Sequence, residues 1–481
     1  MTRHFTLHRT MLLLLLGASA TLHGQPAGPP TRPPDEIDTF IQTEMAARSI
    51  PGVALAVAQR GRIVRVSCYG LASVELGAPV TPQTIFPIAS LDKQLTSTGI
   101  MLMVEDGKLQ LGDPIAKFFD GAPREWQAIT VGQLLSHTSG LPDSVADDIE
   151  GRSFTTYTSE QQLEHVKGLA LVAPPGTVFN YSDANFFLAQ LITEKVAGVP
   201  WRQVITDRVF ARAGMRTATF MDPRPIIKHR VAGYGLTPEG TLVNNRRLSS
   251  DWGPHYNDLA TTVEDFANWA IALDTNAVLR AESRELMWTP AVLADGRRSN
   301  EFAFYQHYGF GFGLVRVRNS RVVLHTGSTG VAILKLPEHD TSVAVFTNLD
   351  HRFGSDPAGL ALGVAGFYVP QVSLARLSPR TDPDPALTER LRAEFERFSR
   401  GVPDRASYLA SEASAAWMGA QDLAARQQRL GRLESFELVD EGTEDGERVR
   451  YYRAGFARGR AFVRICLAVS GRISGLQWWR L

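Results

Sequence analysis

Two cysteines, Cys68 and Cys466, are all that the 481 residues contain. A structural zinc site, a Cys-x-x-Cys redox centre and a disulfide-dense scaffold all need more cysteines or another spacing. The two lie far apart in the chain and read as free, buried thiols. An excess of charge is missing too. Fifty basic residues balance fifty acidic ones, and no basic run is present, so nucleic-acid binding through phosphates is not expected. No apolar run reaches the roughly 20 residues that a membrane helix needs. The longest, 11–18 and Gly359–Val369, are both too short. The eleven histidines are scattered, with no His-Glu-x-x-His pattern. Neither a metal nor any other cofactor is expected.

What is present begins at the N-terminus. Arg3 and Arg9 precede the apolar stretch from Met11, and small residues follow up to Gly24-Gln25. That order is a secretory signal peptide over 1–24. It predicts export to the periplasm or the medium, with no membrane span after cleavage. A Pro-rich leader covers 25–34. Hydrophobic content of 44% and charged content of 21% describe globular protein, and the length calls for more than one folded unit.

Two units are expected. In the first, 35–372, a helix begins near Asp35. Strands follow at Val53–Val57 and Ile63–Val66, turning at Gln59-Arg60-Gly61. From Ser90 to Glu105 the sequence is apolar nearly all round, which marks a buried helix, and Gly107 stops it. Strands return at Arg321–His325, Val331–Leu336 and Ser342–Thr347. Strands at both ends around a helical middle suggest one antiparallel sheet built from the two ends of the unit. A linker, 373–386, is rich in Pro, Ser and Asp. The second unit, 387–481, reads as helices followed by four strands.

Three short segments carry chemistry. Ser90-Leu91-Asp92-Lys93 is a Ser-x-x-Lys, and residues three apart at a helix start share a face. The lysine is then placed to ease deprotonation of the serine. Tyr181-Ser182-Asp183 sits on a turn before an apolar helix, Phe186–Val196, where a tyrosine can reach into a cleft and, with its phenolate stabilised by Lys93, serve as general base. His325-Thr326-Gly327-Ser328 ends a strand. A backbone amide there can help to form an oxyanion hole, and Gly327 lets a ligand lie close. Each segment alone has a plainer reading: an N-capping serine, a loop tyrosine, a strand-ending turn.

Taken in order, the three resemble the motifs of the serine β-lactamase and penicillin-binding-protein superfamily: Ser-x-x-Lys, Tyr-x-Asn, Lys/His-Thr-Gly. Gly52–Val57, Glu105–Leu109, Leu134–Leu141, Thr262–Phe266 and Val343–Asn348 extend the resemblance, which runs from about Asp35 to Pro370. It looks like the class C branch with its esterase and D-amino-acid-peptidase relatives. The resemblance implies a three-layer α/β fold of the α+β type, with an antiparallel sheet flanked by helices. It implies acyl-enzyme chemistry on an ester, a peptide amide or a β-lactam, with a small-molecule or peptide as substrate. Ser90 would be the nucleophile, Lys93 its activator and Tyr181 the proton shuttle. The amides of Ser90 and Ser328 would hold the oxyanion. His137, in a segment that is mainly structural in the family, is not expected to be catalytic.

Two positions depart from the pattern. Asp183 stands where the family has Asn, and a carboxylate only accepts hydrogen bonds. It can pair with Lys93, which would hold the lysine charged and favour Tyr181 as the base, and Asn185 is the candidate to replace the lost donor. His325 stands where β-lactamases usually carry Lys. With a reference pKa of about 6.5 it is often neutral at pH 7, which favours neutral esters or amides over anionic β-lactams. Esterase or peptidase action is therefore expected ahead of resistance-type β-lactamase action. The alternative is a catalytically weak penicillin-binding-like ligand sensor or scaffold, which only Asp183 favours. The loops at 142–175 and 220–260 are expected to shape the pocket. The second unit faintly resembles a cystatin-like or nuclear-transport-factor-like α+β domain. It reads as an accessory interaction or substrate-shaping unit, with Trp478 and Trp479 in packing roles.

Overall fold

The computed structural model describes residues 35–143, 158–221, 225–237, 239–245, 259–299 and 305–480, except for some positions between 414 and 429. The signal segment, the leader and parts of both pocket-shaping loops lie outside the described residues.

Helix α1, Glu36–Arg48, opens on a capping box. The Asp35 side chain accepts from the amides of Ile37 and Asp38, and Asp38 returns a bond to the Asp35 amide, which satisfies amides that a helix start leaves unpaired. Strands β1, Gly52–Gln59, and β2, Arg62–Ser73, form a hairpin across Arg60-Gly61. Both turn residues have positive φ, 51° and 72°, the geometry that suits the twist of two-residue hairpins. A short β3, Ala78–Pro79, follows.

The rest of the sheet comes from the far end of the unit: β4 His307–Tyr308, β5 Gly313–Val317, β6 Ser320–Gly327, β7 Val331–Leu336 and β8 Thr341–Thr347. The order is β3-β2-β1-β8-β7-β6-β5-β4, antiparallel throughout. The pairing of β1 with β8 joins the two ends of the unit, as expected from the sequence.

Alternation along each strand serves two cores. Ala54, Ala56, Val323, Ile333 and Phe346 face α2, Asp92–Glu105, α3, Asp183–Ala197, and α4, Val263–Asp274. Val53, Leu55, Val322, Leu324 and Val345 face the opposite way, with α1 and with α5, Pro357–Tyr368. The apolar run at 359–369 is therefore a core helix. Layers of helix, sheet and helix make the β-lactamase-like fold.

The C-terminal unit opens with α6, Pro385–Ser399, and ends in a four-strand meander: β9 Leu433–Glu444, β10 Glu447–Phe456, β11 Gly459–Leu467 and β12 Ile473–Arg480. One face of this sheet holds α6 through Phe395 and Phe398 against Phe436, Tyr452 and Val463. The other shares a core with α5 through Val439, Tyr451, Phe462 and Trp479. At this seam the buried Arg464 guanidinium meets Glu444 at 2.6 Å, Gln477 at 2.6 Å and Gln306 at 3.3 Å. Of the helices expected ahead of these strands, the part that follows α6 is only partly within the described residues. Both cysteines are free, but Cys68 is half-buried rather than buried.

Candidate active site

Ser90 does not lie in the α-helix itself. It occupies a 3₁₀ turn, Ala89–Leu91, that feeds into α2. Ala89, just before it, has φ 45°. A non-glycine residue held there carries about 1–3 kcal/mol of strain, of the kind that concentrates at functional sites. The first turn of α2 brings Lys93 back under the serine, and Lys93 Nζ lies 3.0 Å from Ser90 Oγ.

Lys93 is only 1% exposed. A buried ammonium needs a partner, and Asp183 supplies it, with Oδ1 2.6 Å from Nζ. Asp183 is the first residue of α3, where a carboxylate also suits the positive end of the helix. The expected pairing of Lys93 with Asp183 is present. Asn185 does not take over as an amide donor to the cleft. Its Nδ2 lies 3.1 Å from His137 Nδ1, and its Oδ1 accepts from Ser139 Oγ at 2.6 Å.

Tyr181 lies against this pair. Lys93 Nζ is 5.2 Å from its ring centre, and the His137 ring lies 4.1 Å away on centroids. Burial, and then the Asp183 carboxylate, push the phenol well above the ordinary tyrosine range, partly opposed by the Ser90 hydroxyl. The side chain therefore rests as a neutral phenol. It can give a proton more readily than it can begin as a base.

His137 is fully buried with φ 55°. Its Nδ1 accepts from the Ser182 amide at 3.1 Å, which fixes the backbone that carries Tyr181. Burial and the Lys93 charge hold it well below the usual histidine range, so it is neutral.

His325 is also sealed, at 1% exposure. Its Nε2 lies 2.8 Å from the Tyr308 hydroxyl and its Nδ1 lies 2.8 Å from the Thr326 carbonyl. Those partners define the tautomer: Nδ1–H donates to the carbonyl and Nε2 accepts from the phenol. Burial and Lys93 lower its pKa to about 3. The imidazole is an uncharged internal brace.

Gly327 has a different neighbour from the one its motif suggests. A Cβ there would overlap the Ile88 carbonyl oxygen. The glycine lets the Ser90 turn pack against β6, so that side is closed to a ligand. Ser328, Ser90 and Tyr181 keep partial exposure, whereas Lys93, His137 and His325 are buried. The solvent-facing set is thus three hydroxyl side chains, one of them, Ser328, just past the end of β6. Sequence reasoning missed Tyr305 and Tyr308, which hold the β6 end in place. Among the described residues no cluster of His, Cys, Asp and Glu suits a metal ion, and no helix is long and apolar enough to cross a membrane.

The Beta-lactamase family model matches residues 37–365, more than half of the chain. The chain belongs to the beta-lactamase family. This is a serine hydrolase family of esterases, amidases and penicillin-binding proteins. Protein flp of Staphylococcus aureus (strain MW2) is 26% identical over 238 residues, 49% of this chain and 47% of that protein. The chain thus spans about half the length of the first curated relatives that it matches. The octameric penicillin-binding protein homologue from Pyrococcus abyssi superposes with a TM-score of 0.60 at 23% identity, over 92% of this chain and 95% of that one. D-amino acid amidase from Ochrobactrum anthropi SV3 superposes at 0.55 and 24% identity, over 66% and 92%. At such identities the superpositions bear on fold alone.

Proposed function

We propose that this beta-lactamase family member is an exported serine hydrolase that forms an acyl-enzyme at Ser90 on a neutral ester or amide. The observation that carries the reading is the 3.0 Å approach of Lys93 Nζ to Ser90 Oγ, with Asp183 behind the lysine. Ser90 Oγ bonds to the carbonyl carbon, and the bond from that carbon to the leaving alcohol or amine then breaks. The Ser90 proton passes to Lys93 as Lys93 hands one of its own to Asp183. Tyr181, a neutral phenol, gives its proton to the leaving group and recovers one from the Lys93–Asp183 pair. Water then repeats the sequence against the acyl-enzyme. The amides of Ser90 and Ser328 receive the oxyanion.

Neutral substrates follow from His325. A cation at that place would attract a substrate carboxylate, but a neutral imidazole already bonded at both nitrogens offers none. Amide hydrolysis is also the activity that the structural neighbour from O. anthropi, a D-amino acid amidase, is named for. Export rests on the sequence of residues 1–24.

Intact-mass spectrometry with a fluorophosphonate probe tests this reading, alongside turnover of a chromogenic ester and a cephalosporin. One adduct, absent in Ser90→Ala, together with ester turnover that exceeds cephalosporin turnover, is the expected result. A folded protein that shows neither adduct nor turnover moves the reading to a ligand-binding module.

A further inference from the structure

The end of β6 is where a substrate backbone would find unpaired main-chain groups. Strand β5 begins its pairing at Gly313 opposite Leu324, so among the described residues no strand pairs with β6 from His325 onward on that side. An open edge of this kind is a template for an extended peptide, which adds as a further strand through main-chain hydrogen bonds.

In this chain the edge is already occupied. The Thr326 amide donates to the Tyr305 hydroxyl at 3.2 Å. The Thr326 carbonyl lies 2.8 Å from His325 Nδ1. Both main-chain groups of one residue are capped by side chains of the chain itself. Tyr305 is seated for this purpose: Gly313 leaves the room that its ring fills, and a Cβ there would overlap the ring. Its carbonyl accepts from Gln477 Nε2 at 3.4 Å, and Gln477 belongs to the buried Arg464–Glu444 network. The C-terminal unit therefore holds the residue that covers the strand edge. A cavity lined by Tyr305, Thr326, His351, Leu430 and Trp478 lies beside the ring at the seam between the two units.

We infer that Tyr305 is a specificity-determining residue. Its hydroxyl occupies the Thr326 amide that an extended peptide needs, so the site takes compact esters and single-residue amides and excludes longer peptide backbones. The C-terminal unit contributes by fixing Tyr305. The inference rests on the Ser90 site being the substrate site, but its test does not require turnover.

Ser90→Ala provides the background, so binding is read without acylation. The probes are dansylated tetra-alanine amide, in L and D forms, and dansylated alanine amide as the compact comparator. Fluorescence titration should show that Ser90→Ala/Tyr305→Phe binds a tetrapeptide amide about fivefold or more tighter than Ser90→Ala does. Affinity for the compact probe should change less than about twofold. Ser90→Ala/Gln477→Leu, which loosens Tyr305 from the C-terminal side, should shift in the same direction and serves if the first variant folds poorly. An equal change for both probes, a weaker tetrapeptide affinity, or no binding of the tetrapeptide to either protein overturns the inference. Loss of the fluorophosphonate adduct in the Ser90-intact chain bears instead on the proposed function.

Discussion

Lys93 Nζ stands between Ser90 Oγ at 3.0 Å and Asp183 Oδ1 at 2.6 Å, and is almost wholly buried. Removing the carboxylate strands an ammonium in the core. Breaking a buried pair from one side costs about 3–5 kcal/mol. Asp183→Ala should therefore lower the unfolding free energy by that order in denaturant titration, and turnover should fall about 100-fold or more as the proton route loses its end. Asp183→Asn keeps an acceptor for Lys93 and should cost less stability. It also removes the carboxylate that helps to hold the Tyr181 phenol high, so the alkaline limb of its pH–rate profile should move to lower pH. A limb that does not move would detach Tyr181 from the Lys93–Asp183 pair.

His325 gives the second prediction. Replacing it by Lys restores the residue usual in the β-lactamase motif and puts a cation there, but breaks the bonds to Tyr308 and to the Thr326 carbonyl. His325→Lys should raise the ratio of cephalosporin to neutral-ester turnover while lowering the thermal midpoint. A ratio that stays at the wild-type value removes the basis for assigning neutral substrates.

The residues that announce chemistry by type and spacing were readable from sequence. Ser90 and Lys93 fall together because a helical turn brings positions three apart onto one side. Strand pairing of the two ends of the first unit was readable because β1, β7 and β8 are short apolar runs set between turns. The content of the His325 motif was not readable. Whether a histidine is a surface cation or a buried neutral brace depends on Tyr308, 17 positions upstream and brought in by the packing of β4 beside β5. Tyr305 was hidden for the same reason. Its partners, Thr326 and Gln477, lie far along the chain and in two different units. Gly327 looked like a ligand-facing glycine because sequence does not reveal that the chain before Ser90 fills that space.

That close approach makes Gly327 a sharp test of the Ser90 turn. A Cβ at 327 overlaps the Ile88 carbonyl oxygen, and backbone cannot swing aside as a flexible side chain can. Gly327→Ala should push the 88–91 turn away from β6, and a shift of about 1 Å at a nucleophile costs on the order of 100-fold. The expected result is a fall in kcat of that size, with slower fluorophosphonate labelling. Unchanged labelling would mean that the turn tolerates displacement.

Acid stability follows from the histidines that the fold holds neutral. His325 titrates at about 3 and His307 at about 4, and burial depresses His137 as well. In the unfolded chain each takes up a proton near pH 6.5. As pH falls below 6.5, the unfolded state binds protons that the folded state does not, so stability drops. The loss continues until the folded groups titrate, near 4 for His307 and near 3 for His325. Each group contributes up to about 1.4 kcal/mol per pH unit within its window. The denaturation midpoint should therefore decline steadily from pH 7 to pH 4. His325→Gln, which keeps a donor and an acceptor but does not titrate, should flatten that decline. An equally steep decline in the glutamine variant would show that His325 takes up its proton without unfolding the chain, and would reopen the assignment of a permanently neutral brace beside Ser90.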